Sequence, residues 1–160
     1  MQVKEIRFYS RKEVEKLEEL IEKNYGVKIN LKDFLVFETG KRRKVWIASK
    51  EILNLPLKKL RINSFGLYIG KIKRNDKFHP SVEFCQIIGG MAKKNVVIAN
   101  KRDAERFVGG GDIELKKGIN CEEHNFVLVR YKEYTLGAGR LFKGKVENLI
   151  PKSRKIISLR

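Results

Sequence analysis

Apolar side chains recur at Val14, Leu17, Leu20, Ile21 and Tyr25, the spacing of one helical face. Ser10 followed by Glu13 forms a capping box ahead of them, and Gly26 offers a left-handed stop. The pattern predicts a helix over Arg11–Tyr25. Residues 34–38 and 44–48 are rich in β-branched and aromatic side chains and predict two strands. The turn between them, residues 39–43, makes a hairpin of the pair. Residues 49–54 predict a short helix stopped by Pro56. Residues 65–72, with two glycines, predict a strand, and residues 82–88 another. Val96, Val97, Ile98 and Ala99 form a further strand, after which Asn100 is a good helix N-cap. Ala104, Phe107 and Val108 then give a short helix its apolar stripe, and Gly109, Gly110 and Gly111 end it. Residues 126–131 predict a late strand, followed by the glycine-rich run Thr135, Leu136, Gly137, Ala138, Gly139, Arg140.

Charge changes the picture most. The 160 residues carry 36 Lys and Arg against 19 Asp and Glu, a net charge of +17. Residues 1–90 hold 20 basic and 11 acidic side chains and residues 91–160 hold 16 and 8, so the excess is not a tail. Such a field attracts polyanions, nucleic acid first. Lysine enrichment with few glutamines also suits a thermophile protein, but that bias normally raises glutamate alongside lysine and leaves net charge moderate. The first helix is locally acidic, with five glutamates against four cations, and reads as scaffold. The absence of an 18-residue apolar run and of an N-terminal apolar region predicts a cytoplasmic protein without membrane contact. Two cysteines, Cys85 and Cys121, make no disulfide framework.

A strand, a short helix with Arg102 and Arg106 on its polar side, and a glycine turn suit a phosphate-bearing ligand. The spacing is neither a Walker loop nor GxGxxG. It resembles the opening of a PUA domain, the small RNA-binding barrel named for pseudouridine synthases and archaeosine transglycosylases. The strand over residues 126–131 and the glycine-rich run ending at Arg140 are similar to later strands of that family. In the first half, SFGLYIGKI (residues 64–72) and HPSVEF (residues 79–84) resemble the pre-PUA half of small ribosome-biogenesis proteins of archaeal type, which act on large-subunit precursors. The tail GKVENLIPKSRKI (residues 144–156) is instead similar to the PUA-like end of rRNA cytosine methyltransferases. These resemblances imply an α/β (α+β) fold: a pre-PUA α/β domain over residues 1–90 and a PUA pseudo-barrel of mostly antiparallel strands over residues 91–160. Gly89 and Gly90 form the joint, short enough that the halves should pack together.

As the resemblance implies, RNA contacts fall on the short helix, the glycine turn, the late strands and the C-terminal segment. On this chain those positions are Lys101, Arg102, Arg106, Gly110, Arg140, Lys143, Lys152, Arg154 and Lys155. The alternative is that they are unpaired surface cations. The turn cations Lys41, Arg42, Arg43 and Lys44 read equally as RNA contacts or as a solvated turn. The bare strand face at Gly137 and Gly139 is better explained by close packing than by RNA approach.

The implied function is binding of structured rRNA or tRNA, in ribosome biogenesis or as targeting partner of an RNA-modifying enzyme. The alternative is an accessory subunit of an rRNA or tRNA methyltransferase whose catalytic domain is a separate chain. Pre-ribosomal proteins or an RNA methyltransferase are the expected protein partners. No cofactor loop and no placed nucleophile appear, so the expectation is a non-enzyme without cofactor. His79, Cys85, Cys121 and His124 lack the usual spacing of a zinc site, and Cys85 reads as a small buried thiol. Asp112, after the glycines, reads as a structural turn residue.

Overall fold

The computed structural model describes residues 5–54 and 65–154. In chain order the elements are β1 (Ile6–Phe8), α1 (Arg11–Tyr25), β2 (Phe34–Thr39), β3 (Lys44–Ser49), a 3-10 turn (Lys50–Asn54), β4 (Leu67–Lys73), β5 (Lys77–Pro80) and α2 (Val82–Ile88). Then come β6 (Val96–Ile98), α3 (Lys101–Val108), β7 (Ile113–Glu114), β8 (Gly118–Ile119), β9 (Phe126–Tyr131), β10 (Tyr134–Phe142), β11 (Lys145–Asn148) and a 3-10 turn (Lys152–Arg154). The architecture is α+β, with two mostly antiparallel sheets: β1-β2-β3-β4-β5, and β7-β11-β10-β9-β6-β8. The parallel pair among them is β6 with β9. Pro56 lies outside the described residues.

Local signals set the helices. The Ser10–Glu13 capping box closes in both directions, and Gly26 ends α1 at φ 67°. Leu17, Ile21 and Tyr25 of α1 are buried against Val36, Val45, Ile69 and Phe78 of the first sheet. One expectation fails. Residues 82–88 form a helix, not a strand. The Ser81 side chain accepts from the Phe84 amide as an N-cap, and Phe84, Cys85 and Ile88 are buried at helical spacing. Burying that face against both sheets outweighs the strand preference of Val82, Phe84, Ile87 and Ile88.

The two sheets share a core. Val96, Leu128 and Ala138 of the second sheet join the cluster that holds Tyr25, Phe84 and Ile88. The Tyr25 hydroxyl donates to the Phe78 carbonyl (2.6 Å) from beneath the first sheet and lies 3.3 Å from that of Phe126. Around it, Asn95 donates to the Asn24 carbonyl (2.7 Å) and Asn125 to the Asn24 side-chain oxygen (3.1 Å). A second cluster, with Val97, Phe107, Val127, Leu141, Val146 and Ile150, lies between α3 and the opposite face of the second sheet.

Candidate nucleic-acid interface

The Asn100 side chain accepts from the Asp103 amide (2.8 Å) and starts α3; Ala104, Phe107 and Val108 point into the core. That leaves Lys101, Arg102 and Arg106 exposed on the outer side. Asp103 is already engaged by Lys116 at 3.1 Å. Among the described residues neither Arg102 nor Arg106 forms an ion pair. Of the three glycines that follow, Gly110 takes the left-handed conformation, φ 100°. Gly111 serves packing: a Cβ there would stand 2.7 Å from Arg106 Cγ. The arginine stem thus lies over the glycine turn that follows it, which orders the guanidinium without tying it to an acid.

The turn itself is held from β11. Asn148 donates to the Phe107 carbonyl (2.6 Å) and to the Gly111 carbonyl (3.0 Å), and accepts from the Ile150 amide (2.9 Å). Asp112 accepts from the Asn148 amide (2.9 Å), the structural turn role its position suggested. Asn148 is the residue that sequence reasoning missed. Its signal, an asparagine near the end of the tail, is too common to single it out.

Of the nine expected RNA residues, the eight that the structure describes do not all lie on α3 and its turn. Lys101, Arg102, Arg106 and Gly110 stay together on α3 and its turn. Arg140 alternates along β10 with Leu141, which is buried in the cluster under α3, and shares its face with Ala138 and Phe142. Arg140 therefore stands on the other side of the strand, opposite Phe126 on one neighbour and Glu147 on the next. Lys143 sits in the β10–β11 turn at φ 49°, its amide donating to Glu123 and its ammonium 5.2 Å from the Phe142 ring centre. Lys152 is exposed in the last 3-10 turn. Arg154 in the same turn pairs with Glu83 of α2. Lys155 lies outside the described residues.

Gly137 and Gly139 are packing glycines. A Cβ at Gly137 would stand 2.9 Å from Ile150 Cγ1, and one at Gly139 would meet Val146 and the Glu147 carbonyl (2.8 Å). The four-cation turn is partly internal: Arg43 reaches back to Glu38 at 2.9 Å, beside Arg7. Cys85 is buried, which pushes its thiol up, and burial raises Cys121 as well. His79 stacks on Phe126 at 4.9 Å and 5°. Among the described residues no three His, Cys, Asp or Glu side chains converge to hold a metal. Among them, too, no helix is long and apolar enough to cross a membrane.

Two sheets built around one shared cluster, with a capped short helix and glycine turn on the second, define an α+β protein with a C-terminal pseudo-barrel. Residues 6–82 match the family model of the NIP7/UPF0113 pre-PUA domain, and residues 94–156 match that of the methyltransferase RsmF PUA domain. The chain is a pre-PUA plus PUA protein. A solved PUA-domain structure from Aeropyrum pernix K1, in complex with tartrate, overlaps it with a TM-score of 0.45 and 14% identity, covering 95% of this chain and 90% of that one. No curated protein sequence matches the chain.

Proposed function

We propose that the protein binds structured rRNA in large-subunit assembly, acting in the cytoplasm as a non-catalytic RNA-binding factor. The observation that carries this reading is the outer face of α3: Lys101, Arg102 and Arg106, with no ion pair from either arginine among the described residues, beside a glycine turn in a PUA domain. Arginine presents a planar donor fork to phosphate oxygens and stacks on unpaired bases. The match of residues 6–82 to the NIP7/UPF0113 pre-PUA model supports the rRNA assignment. We place the division between the domains at Gly89 and Gly90, with the main RNA contacts in residues 91–160.

The test is Arg102→Ala/Arg106→Ala in the full chain, because the shared core makes isolated halves unsuitable. Titration of a labelled large-subunit rRNA fragment should show weaker binding. The log–log salt slope should fall by roughly 0.7 to 0.9 for each phosphate that an arginine no longer neutralises. The melting temperature should hold, since exposed helix substitutions usually fall within about 0.5 kcal/mol. Wild-type RNA affinity in the double variant would remove α3 from the interface.

A second reading is favoured by the match of residues 94–156 to the PUA domain of a methyltransferase. On that reading the protein is a detached RNA-binding partner of an RNA methyltransferase. Co-purification from cells separates the two: pre-ribosomal particles support the first reading, a methyltransferase chain the second.

A further inference from the structure

The outer face of the first sheet sets like charges directly against each other. Lys44 on β3 is opposite Lys71 on β4, whose other cross-strand neighbour, His79 on β5, is kept neutral by burial. Two residues along the same strands, Lys73 is opposite Lys77. Residues two apart share a face, so these side chains form one field. Like charges directly opposed across a strand pair destabilise a sheet. The field is felt: burial, then Lys44, Lys73 and Arg42, push the Lys71 pKa down. Among the described residues none of Lys44, Lys71 and Lys73 has an acidic partner. Nor do the lysines fill the core, which Val45, Ile69 and Phe78 occupy from the other side. The oppositions cost stability, and the contact of Lys44 with the Tyr68 ring offsets part of that cost.

The row does not stop at the sheet edge. The His79 ring lies flat on Phe126 of β9, and Phe126 is opposite the exposed Arg140 on β10. Lys77 crosses the same junction, donating to the His124 carbonyl at 3.1 Å. Lys44 Nζ also lies 6.0 Å from the Tyr68 ring centre. Lys44, Lys71 and His79 stand on successive strands about 4.8 Å apart, and Phe126 and Arg140 on another such pair. The ring stack joins the two sets, which leaves room for several nucleotides.

We infer that this face is a second RNA-contact surface, a phosphate track from Lys44 and Lys71 past Lys73 to Arg140, so that one RNA strand engages both sheets. A polyanion laid along it removes the repulsion the free protein carries. His79 and Phe126, stacked on each other, are the apolar bridge beneath the strand and take no base. Contact is with the RNA backbone and is independent of base sequence. The inference rests on the RNA-binding function proposed above, and it gives Arg140 a role that its separation from α3 otherwise leaves open.

The experiment uses the full chain with Lys44→Gln/Lys71→Gln, beside wild type and Arg102→Ala/Arg106→Ala, titrated with a fluorescein-labelled rRNA hairpin bearing a single-stranded flank. Removing two phosphate-neutralising cations from a single-stranded track should lower the salt slope by about 1.4 and weaken binding roughly 20-fold at 0.1 M salt. The weakening should be the same on flanks of different sequence. The melting temperature should stay level or rise, because a repulsion has been removed. Lys44→Arg/Lys71→Arg should bind like wild type. Unchanged affinity and slope in the glutamine variant, with weakened binding in the α3 variant, overturns the second surface alone. A lower melting temperature in the glutamine variant overturns it too, since the lysines would then be structural. Wild type without salt-dependent RNA binding overturns both.

Discussion

Asn148→Ala is the substitution that tests how α3 and its glycine turn are held. The side chain satisfies two carbonyls, Phe107 at 2.6 Å and Gly111 at 3.0 Å, and one amide, Ile150 at 2.9 Å. An intramolecular hydrogen bond contributes about 1 kcal/mol net, so three set a ceiling of about 3 kcal/mol. Asn148 is half-buried, and water recovers part of the loss. The expected cost is about 2 kcal/mol, equivalent to about 4–8 °C for a chain of this length. Urea unfolding followed by circular dichroism should show a lower midpoint at constant m-value. Asn148→Asp sharpens the test. It keeps the acceptor for Ile150 but sets a carboxylate against two carbonyls, so it should destabilise at least as much as alanine. An alanine variant within about 0.5 kcal/mol of wild type would refute the clamp.

Burial against Phe126, with Lys73 and Lys71 adding, lowers the His79 pKa from 6.5 to about 4. Between those values only the unfolded chain takes the proton. Stability is therefore full above pH 6.5 and declines as pH falls toward 4, by about 2 kcal/mol from pH 7 to pH 5. His79→Gln should flatten that part of a stability-versus-pH curve. Gly70, at φ 151°, has room for no side chain: a Cβ would stand 2.7 Å from Phe78 Cζ and closer to the His79 carbonyl. Gly70→Ala should cost about 3 kcal/mol or more, read as a lower urea midpoint. Arg154→Ala breaks a partly exposed pair with Glu83 and should change stability by less than about 1 kcal/mol. A larger loss in thermal unfolding would make that pair a structural fastener.

What was legible in the chain follows how far each interaction reaches. Both ends of α1 and the start of α3 are written in adjacent residues, Ser10 with Glu13, Gly26, and Asn100 with Asp103. The β2–β3 hairpin is equally local. The helix at Val82–Ile88 carried a local signal too, Ser81 after Pro80, but its run of strand formers masked it. The candidate interface was legible only where it lies on one element. Arg102 and Arg106 share α3, so their spacing placed them together. Arg140 depends on a register shift between Thr135 and Gly137 and on which layer covers each face of β10. Arg154 depends on a distant glutamate, and the Lys44–Lys71 and Lys73–Lys77 oppositions on strand register. No window of sequence contains those pairings.

The junction between the sheets determines what an RNA bound across them requires. An apolar contact alone is non-directional and would let the sheets slide. Here Asn24 is buried and used on every side. Its amide donates to the Leu20 carbonyl (2.8 Å) and the Asp76 carbonyl (3.0 Å), while its two oxygens accept from Asn95 and Asn125. Asn95 in turn accepts from the Glu122 amide (2.9 Å), and Asn125 from its neighbour Phe126 (2.7 Å). A buried network with its partners in place specifies one register, because any slip leaves polar groups unpaired in a low-dielectric interior. Phe126 is the residue on which His79 stacks, so the same network that fixes α1 to the second sheet also fixes the row from Lys44 to Arg140. Ordering two mobile halves would cost binding free energy at each encounter. With the register set in the free protein, that cost falls on the RNA, and a strand already held in shape is favoured over a flexible one.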